Sequence, residues 1–276
     1  MRKLLSADFY RLGRDKAFWT GALAMLAYTV GAMLGNCHQA MEDVESGFPY
    51  ALEIFYFVYA FPIGLLISVF TSLFLGSEYS DGTIRNKLVV GHKRSDVYLS
   101  KLFANIAFSL ILLFFGLLGG LCGIPFLGLW KVGNMIWVYL LVSVFFTVSY
   151  AAVFTLTGML CTNKAVSAVL AILLFLILFI LSFHVYAGLM EPEVSHGLLI
   201  TKEGMQMGDP SPNPNYISGL EREIYQFIID VLPTGQCIQL EEFSVQHPLR
   251  MMISSLVIAV GTTVCGIWAF GRKDLK

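Results

Sequence analysis

Apolar residues in this chain come in long blocks rather than at the alternating or helical spacing of a half-buried element. Six blocks are bounded by charge or turn residues: Phe18 to Leu34, Ala51 to Leu75, Leu102 to Ile124, Met135 to Leu160, Ala165 to Ala187 and Met251 to Phe270. About 20 mostly apolar residues are needed to cross the hydrocarbon of a bilayer as a helix. The first block is short, and the fifth, with "AVLAILLFLILFILSF", is apolar throughout. The pattern predicts an all-α, polytopic membrane protein with six transmembrane helices, folded as a single domain over residues 1–276.

Composition supports the bilayer as solvent. The chain is 57% hydrophobic and 13% charged, against about a quarter charged in soluble domains, and its mean hydropathy is +0.71. A net charge of −1 offers nucleic acid no basic field. The distribution of charge says more. Of the 18 Lys and Arg, 14 fall on one side if the spans alternate: Arg2, Lys3, Arg11, Arg14, Lys16, Arg85, Lys87, Lys93, Arg94, Lys101, Lys164, Arg272, Lys273 and Lys276. Only Lys131, Lys202, Arg222 and Arg250 fall on the other. The positive-inside rule places both termini in the cytoplasm.

The segments between spans carry their own signals. Residues 1–16 place Met1, Leu5, Phe9 and Leu12 on one helical stripe with basic residues around it, which predicts an amphipathic helix on the inner membrane surface. Residues 190–250 form a large outer loop that opens with "GDPSPNPN", read as neither helix nor strand. It continues with "ISGLEREIYQFIIDVLP", where Ser218 and Glu221 suggest a capping box and Pro233 ends the pattern. Leu220, Ile224, Phe227 and Ile228 line the apolar face of that helix, as a packing lid or an outer gate. Of the five cysteines only Cys37 and Cys237 fall outside, which permits one bridge or two thiols. The second block opens with an aromatic cluster, Phe55, Tyr56, Tyr59 and Phe61 among it. That cluster could line a substrate path or a dimer interface, or form an interfacial belt.

The cytoplasmic segment 77–101 is compact and basic. Thr83 to Val90 can form two helical turns with Ile84 and Leu88 on one face, Gly91 breaks them, and Ser95 can cap the following helix. Such a piece, held between two spans, suits either a docking plug or a loop that sets topology. Chemistry is sparse elsewhere. H-E-x-x-H and the G-x-x-x-x-G-K-[ST] phosphate loop are absent, and the five histidines are scattered. The centres of the blocks hold no charge, which disfavours a proton- or ion-coupled carrier.

The basic leader, the six spans, "SEYSDGTIRNKLVVGHKRSDVYLSKL" after the second span and "IIDVLPTGQ" before the sixth together resemble a type-2 ABC transporter permease. The likeness is closest to the bacterial branch of bacitracin-resistance and lantibiotic-immunity permeases. The resemblance implies a bacterial cell-membrane exporter of a hydrophobic, lipidic or peptide substrate. It implies two copies of a separate ATPase subunit that bind the ATP and Mg, a second permease subunit of the same or another kind, and no cofactor or catalytic residue in this chain. By the same resemblance Glu78, Gly82, Thr83, Ile84, Arg85, Asn86, Leu88 and Arg94 are the candidate ATPase contacts. The alternatives are an ATP-independent channel or carrier, and a membrane sensor or immunity protein that binds without transporting.

Overall fold

A computed structural model describes residues 1–45, 56–122, 135–201 and 204–274. Among these, ten helices and one two-stranded hairpin form in the order α1 (Arg2–Arg14), α2 (Lys16–Glu45), α3 (Ala60–Ser80), α4 (Thr83–Val89), α5 (Arg94–Leu121), α6 (Met135–Leu160), α7 (Lys164–Met190), β1 (Val194–Thr201), β2 (Gly204–Pro212), α8 (Gly219–Val231), α9 (Pro233–Glu241) and α10 (Pro248–Arg272). Six of them, α2, α3, α5, α6, α7 and α10, are long and apolar enough to cross a membrane. The chain is thus nearly all-helical and multi-pass, as the blocks predict.

In hydrocarbon, helices are held by close packing and internal hydrogen bonds, since lipid tails are as apolar as leucine. Both are present. Phe70 of α3 stacks on Phe108 of α5 with ring centroids 3.6 Å apart, and Phe18 of α2 and Phe74 join them. Some buried hydroxyls return to the carbonyl a turn earlier, as Ser72 does to Ser68 and Thr155 to Ala151, and so need no water, whereas those of Thr71, Thr147 and Tyr150 have no hydrogen-bond partner among the described residues. Helix α3 lies against α6 and α7, α5 against α2 and α6, and α10 along α6.

Several boundaries differ from the sequence reading. Helix α3 begins at Ala60, and Tyr56 to Tyr59 form a turn where a span from Ala51 was expected. Pro62 explains this, because proline has no amide to give an interior helical turn but fits the first one. Residues 51–55, with Glu53 and Phe55, lie outside the described residues. Ser95 does not cap α5; that helix starts at Arg94 behind Lys93. Ser218 occupies the N-cap of α8, but its side chain makes no cap bond, and Gly219 follows at φ +61°.

The segment between α7 and α10 holds more regular structure than expected. β1 and β2 pair antiparallel, with Val194 opposite Pro212 and His196 opposite Pro210, so the proline-rich tract is strand as far as Pro212, and Pro214 and Asn215 form a turn. In a two-stranded ribbon both strands are edges, where proline is tolerated at positions whose amide would face away from the partner strand. Pro233 ends the pattern of α8 as expected, that helix stopping at Val231, and it also opens α9 at its first turn. Every residue of α9 from Pro233 to Leu240 is buried, against α3, α6, α7 and α8. Cys237 is a free, buried thiol that donates to the Ala60 carbonyl at the start of α3; the side chain of Cys37 lies outside the described residues. A Cβ on Gly235 would sit 2.4 Å from the Ile229 carbonyl oxygen, so only glycine lets α9 fold back this closely on α8.

The leader is a helix, as expected, and the stripe it turns to the bundle differs from the apolar stripe expected on the membrane surface, sharing only Leu12 with it. Leu4, Asp8 and Leu12 face the bundle, while Met1 and Phe9 remain exposed. The residue at the centre of that stripe is a carboxylate, which leads to the first site.

Candidate functional sites at the two ends of the bundle

Five charged side chains meet where α1, α3, α4 and α5 converge. Asp8 of α1 and Glu78 near the end of α3 are both buried. Lys101, expected in the cytoplasmic loop, lies two turns into α5 and is fully buried, with its ammonium between those two carboxylates: 2.5 Å from Asp8 Oδ1 and in contact with Glu78 Oε1. Lys87 of α4 reaches the same pair, 2.9 Å from Asp8 Oδ1 and 3.3 Å from Glu78 Oε2. Arg11 binds Glu78 and donates to the Phe74 carbonyl at 3.1 Å, and Ser100 donates to Asp8 Oδ2 at 2.5 Å.

Buried charges are tolerable only when each is paired and its remaining lone pairs or protons are used. That holds here. Burial pushes the Asp8 carboxyl up, but Lys101 and Lys87 outweigh it and hold the group below its ordinary range. Burial likewise pulls the Lys87 ammonium down, and Glu78 and Asp8 more than restore it. Lys87 therefore ties α4 to both the leader helix and the second span as a full charge.

Helix α4 is closed by backbone geometry at each end. Gly82, at φ +65°, turns the chain out of α3, and Thr83 donates to the Glu78 carbonyl at 3.1 Å. At the other end Gly91, at φ +98°, and His92 donate back to the Leu88 and Lys87 carbonyls at 3.0 and 3.2 Å, a Schellman stop. Between them Ile84 is buried and Leu88 half-buried against the core, so both expected apolar knobs point inward. Arg85 and Asn86 are exposed. So are Val89 and Val90, each at 79%, which were not singled out from the sequence. Two adjacent exposed β-branched residues on the α4 tip were the available signal. Arg94 faces elsewhere: it donates to the Phe270 and Lys273 carbonyls at the end of α10. Of the eight candidate contacts, then, Arg85 and Asn86 are exposed, Gly82 and Thr83 form the turn, and Glu78, Ile84, Leu88 and Arg94 hold the segment to the bundle.

At the opposite end the aromatic cluster is divided. Tyr59 is fully buried and shares a 2.7 Å hydrogen bond with Ser143 of α6. Tyr56 is half-buried, and Phe61 is partly exposed against Phe179 of α7. On α8, Leu220, Ile224 and Phe227 are exposed, while Ile228 packs toward Val185 and Leu189 of α7.

The same end contains a polar centre that residue spacing did not suggest. Asp230, at the end of α8, is fully buried; its carboxylate accepts from Gln226 and Gln239 at 3.0 and 3.1 Å and from Arg250 at 3.1 Å, with His247 Nδ1 3.0 Å away. Gln236 of α9 donates to the Asp230 and Met251 carbonyls at 2.9 and 3.0 Å and accepts from Ser255 at 2.7 Å. The Asp, Pro, Gly and Gln of "IIDVLPTGQ" are thus all parts of one joint between α8, α9 and α10. Beside it, burial and the adjacent Glu242 raise the Glu241 carboxyl to about 7. A carboxyl raised in the folded state contributes stability at low pH that is lost as pH climbs from its ordinary value through the folded one. Glu241→Gln is therefore expected to raise the melting temperature at pH 8 and leave it nearly unchanged at pH 5, measured by thermal unfolding in detergent. An equal effect at both pH values would show that Glu241 ionises freely.

Residues 4–182 match the family described as ABC-2 family transporter protein. No curated protein matches the chain.

Proposed function

Because this chain belongs to the ABC-2 transporter family, whose membrane proteins are permease components working with an ABC ATPase subunit, we propose that the exposed crown of α4 is where that ATPase seats. The observation that carries this reading is the contrast within one short helix. Arg85, Asn86, Val89 and Val90 are exposed, while Lys87 on the same helix is locked to Asp8 and Glu78. A docking element needs both an apolar tip to bury and a rigid mount.

On this reading ATP and Mg are held by two copies of the ATPase, and this chain contributes motion rather than bond chemistry. The distribution of Lys and Arg supports placing α1, α4 and both termini in the cytoplasm of a bacterial cell. A second permease subunit, identical or related, completes the path, and the long exposed apolar face of α7, with Leu173, Ile177 and Ile180, offers it a surface. The cargo is hydrophobic, lipidic or peptidic and is exported, antimicrobial peptides included. Phe61 and the exposed face of α8 are the outer elements it would meet.

The test is co-purification of the tagged chain from its own membrane. Wild type is expected to bring down an ATPase with phosphate-loop sequence, and Val89→Asp/Val90→Asp to reduce its recovery at least tenfold with no change in melting temperature. Ile84→Asp, being buried, is expected to lower the melting temperature as well. Absence of an ATPase after cross-linking in intact cells, or its full retention by the double variant, would remove the proposal.

A further inference from the structure

Helix α1 has two faces with different partners. Its inner face is fixed by Leu4, Asp8 and Leu12, and Asp8 is bonded to Lys87 of α4. Its outer surface carries Arg2, Lys3 and Arg14, continued by Lys16 at the start of α2, all exposed. None of these four enters an ion pair among the described residues, and no carboxylate is exposed on α1 itself. Met1, Phe9 and Tyr10 are exposed between the cations, Arg14 stacks 4.4 Å over the Tyr10 ring, and Trp19, 48% exposed, donates to the Gly13 carbonyl at 2.9 Å. Only Asp15 separates α1 from the first span, so this surface lies at the depth where hydrocarbon gives way to headgroups.

We infer that the outer face of α1 binds the anionic phospholipid headgroups of the adjacent leaflet, and that this binding steadies α4 through the Asp8–Lys87 ion pair. Unpaired cations interleaved with aromatic rings at the membrane–water boundary are what an anionic lipid surface recognises. A zwitterionic surface offers the rings a place but leaves the charges unmatched. Because α1 touches lipid on one side and α4 on the other, lipid charge acts on α4 without any contact between the two. The inference holds whether or not an ATPase seats on α4.

The test is hydrogen exchange on the full chain in lipid nanodiscs of phosphatidylcholine alone and with about 30% phosphatidylglycerol. Phosphatidylglycerol is expected to slow exchange in residues 2–14 by more than about tenfold, less so at high salt, and to slow residues 83–89 with them. The surface variant Arg2→Gln/Lys3→Gln/Arg14→Gln/Lys16→Gln should lose both effects. Lys87→Met should lose only the second. Exchange in residues 2–14 that ignores phosphatidylglycerol would overturn the lipid contact, and protection of α1 without α4 would overturn the transmission. Protection of α1 by an added ATPase in phosphatidylcholine alone, with none from phosphatidylglycerol, would assign the basic face to a protein instead. Failure of ATPase binding on its own would leave this inference intact.

Discussion

Lys101→Met is expected to destabilise the protein by about 3–5 kcal/mol, the usual cost of removing one partner from a buried ion pair. Methionine fills nearly the same volume, so the loss is electrostatic. Without the ammonium, Asp8 and Glu78 face each other in a site closed to water, with Lys87 and Arg11 left to serve both. Thermal unfolding in detergent should show a melting temperature lower by roughly 10 °C. Asp8→Asn in the Lys101→Met background should recover part of that loss, since it removes one of the stranded charges. A single variant that melts like wild type would mean the cluster is hydrated and the pairing adds little.

Asp230→Ala is expected to cost about 2–3 kcal/mol, less than Lys101→Met despite the larger number of hydrogen bonds broken. The difference lies in what is left behind. Arg250 and His247 have side chains 43% and 42% exposed, so water can take up the charge that Asp230 releases. The cost falls instead on Gln226 and Gln239, which lose an acceptor in a buried joint. The loss should be local, appearing as protease cleavage between α8 and α10 while the end of the bundle at α1 and α4 keeps its protection. Cleavage spread evenly over the chain, or none, would contradict the view of Asp230 as a joint.

The spans were legible because a bilayer imposes a length and an apolarity that few sequences meet by accident. Met135–Leu160 was read to the residue and α7 and α10 within three residues, whereas α3 starts late at Ala60, α5 starts at Arg94, eight residues before Leu102, and α2 runs on to Glu45, eleven past Leu34. Which face of a helix turns inward was harder to see. The stripe Met1, Leu5, Phe9 and Leu12 was read as facing the membrane, and nothing in it showed that Leu4, Asp8 and Leu12 would face the bundle. A carboxylate can take a core position only if cations arrive from elsewhere, and Lys87 and Lys101 lie far from it in sequence. The same logic hid Lys101, whose side chain looks like loop charge until Glu78 and Asp8 are brought beside it. Ile84 and Leu88 were rightly placed on one face of α4, but one helix cannot show that this face turns inward. Helix α9 was illegible because a nine-residue helix buried on all sides has no periodicity to detect.

The short helix α4 has almost no freedom of its own. Lys87 is bonded at once to a helix that precedes the first span and to the end of the second, while Ile84 sits in the core between them. A rotation of α4 about either flanking glycine would have to break both ion pairs and expose Ile84. A force applied to Val89 and Val90 therefore cannot be spent in bending α4. It would pass through Lys87 and Ile84 into α1 and α3, and because α3 packs along α6 and α7, a push at the α4 tip would be felt in those helices as well.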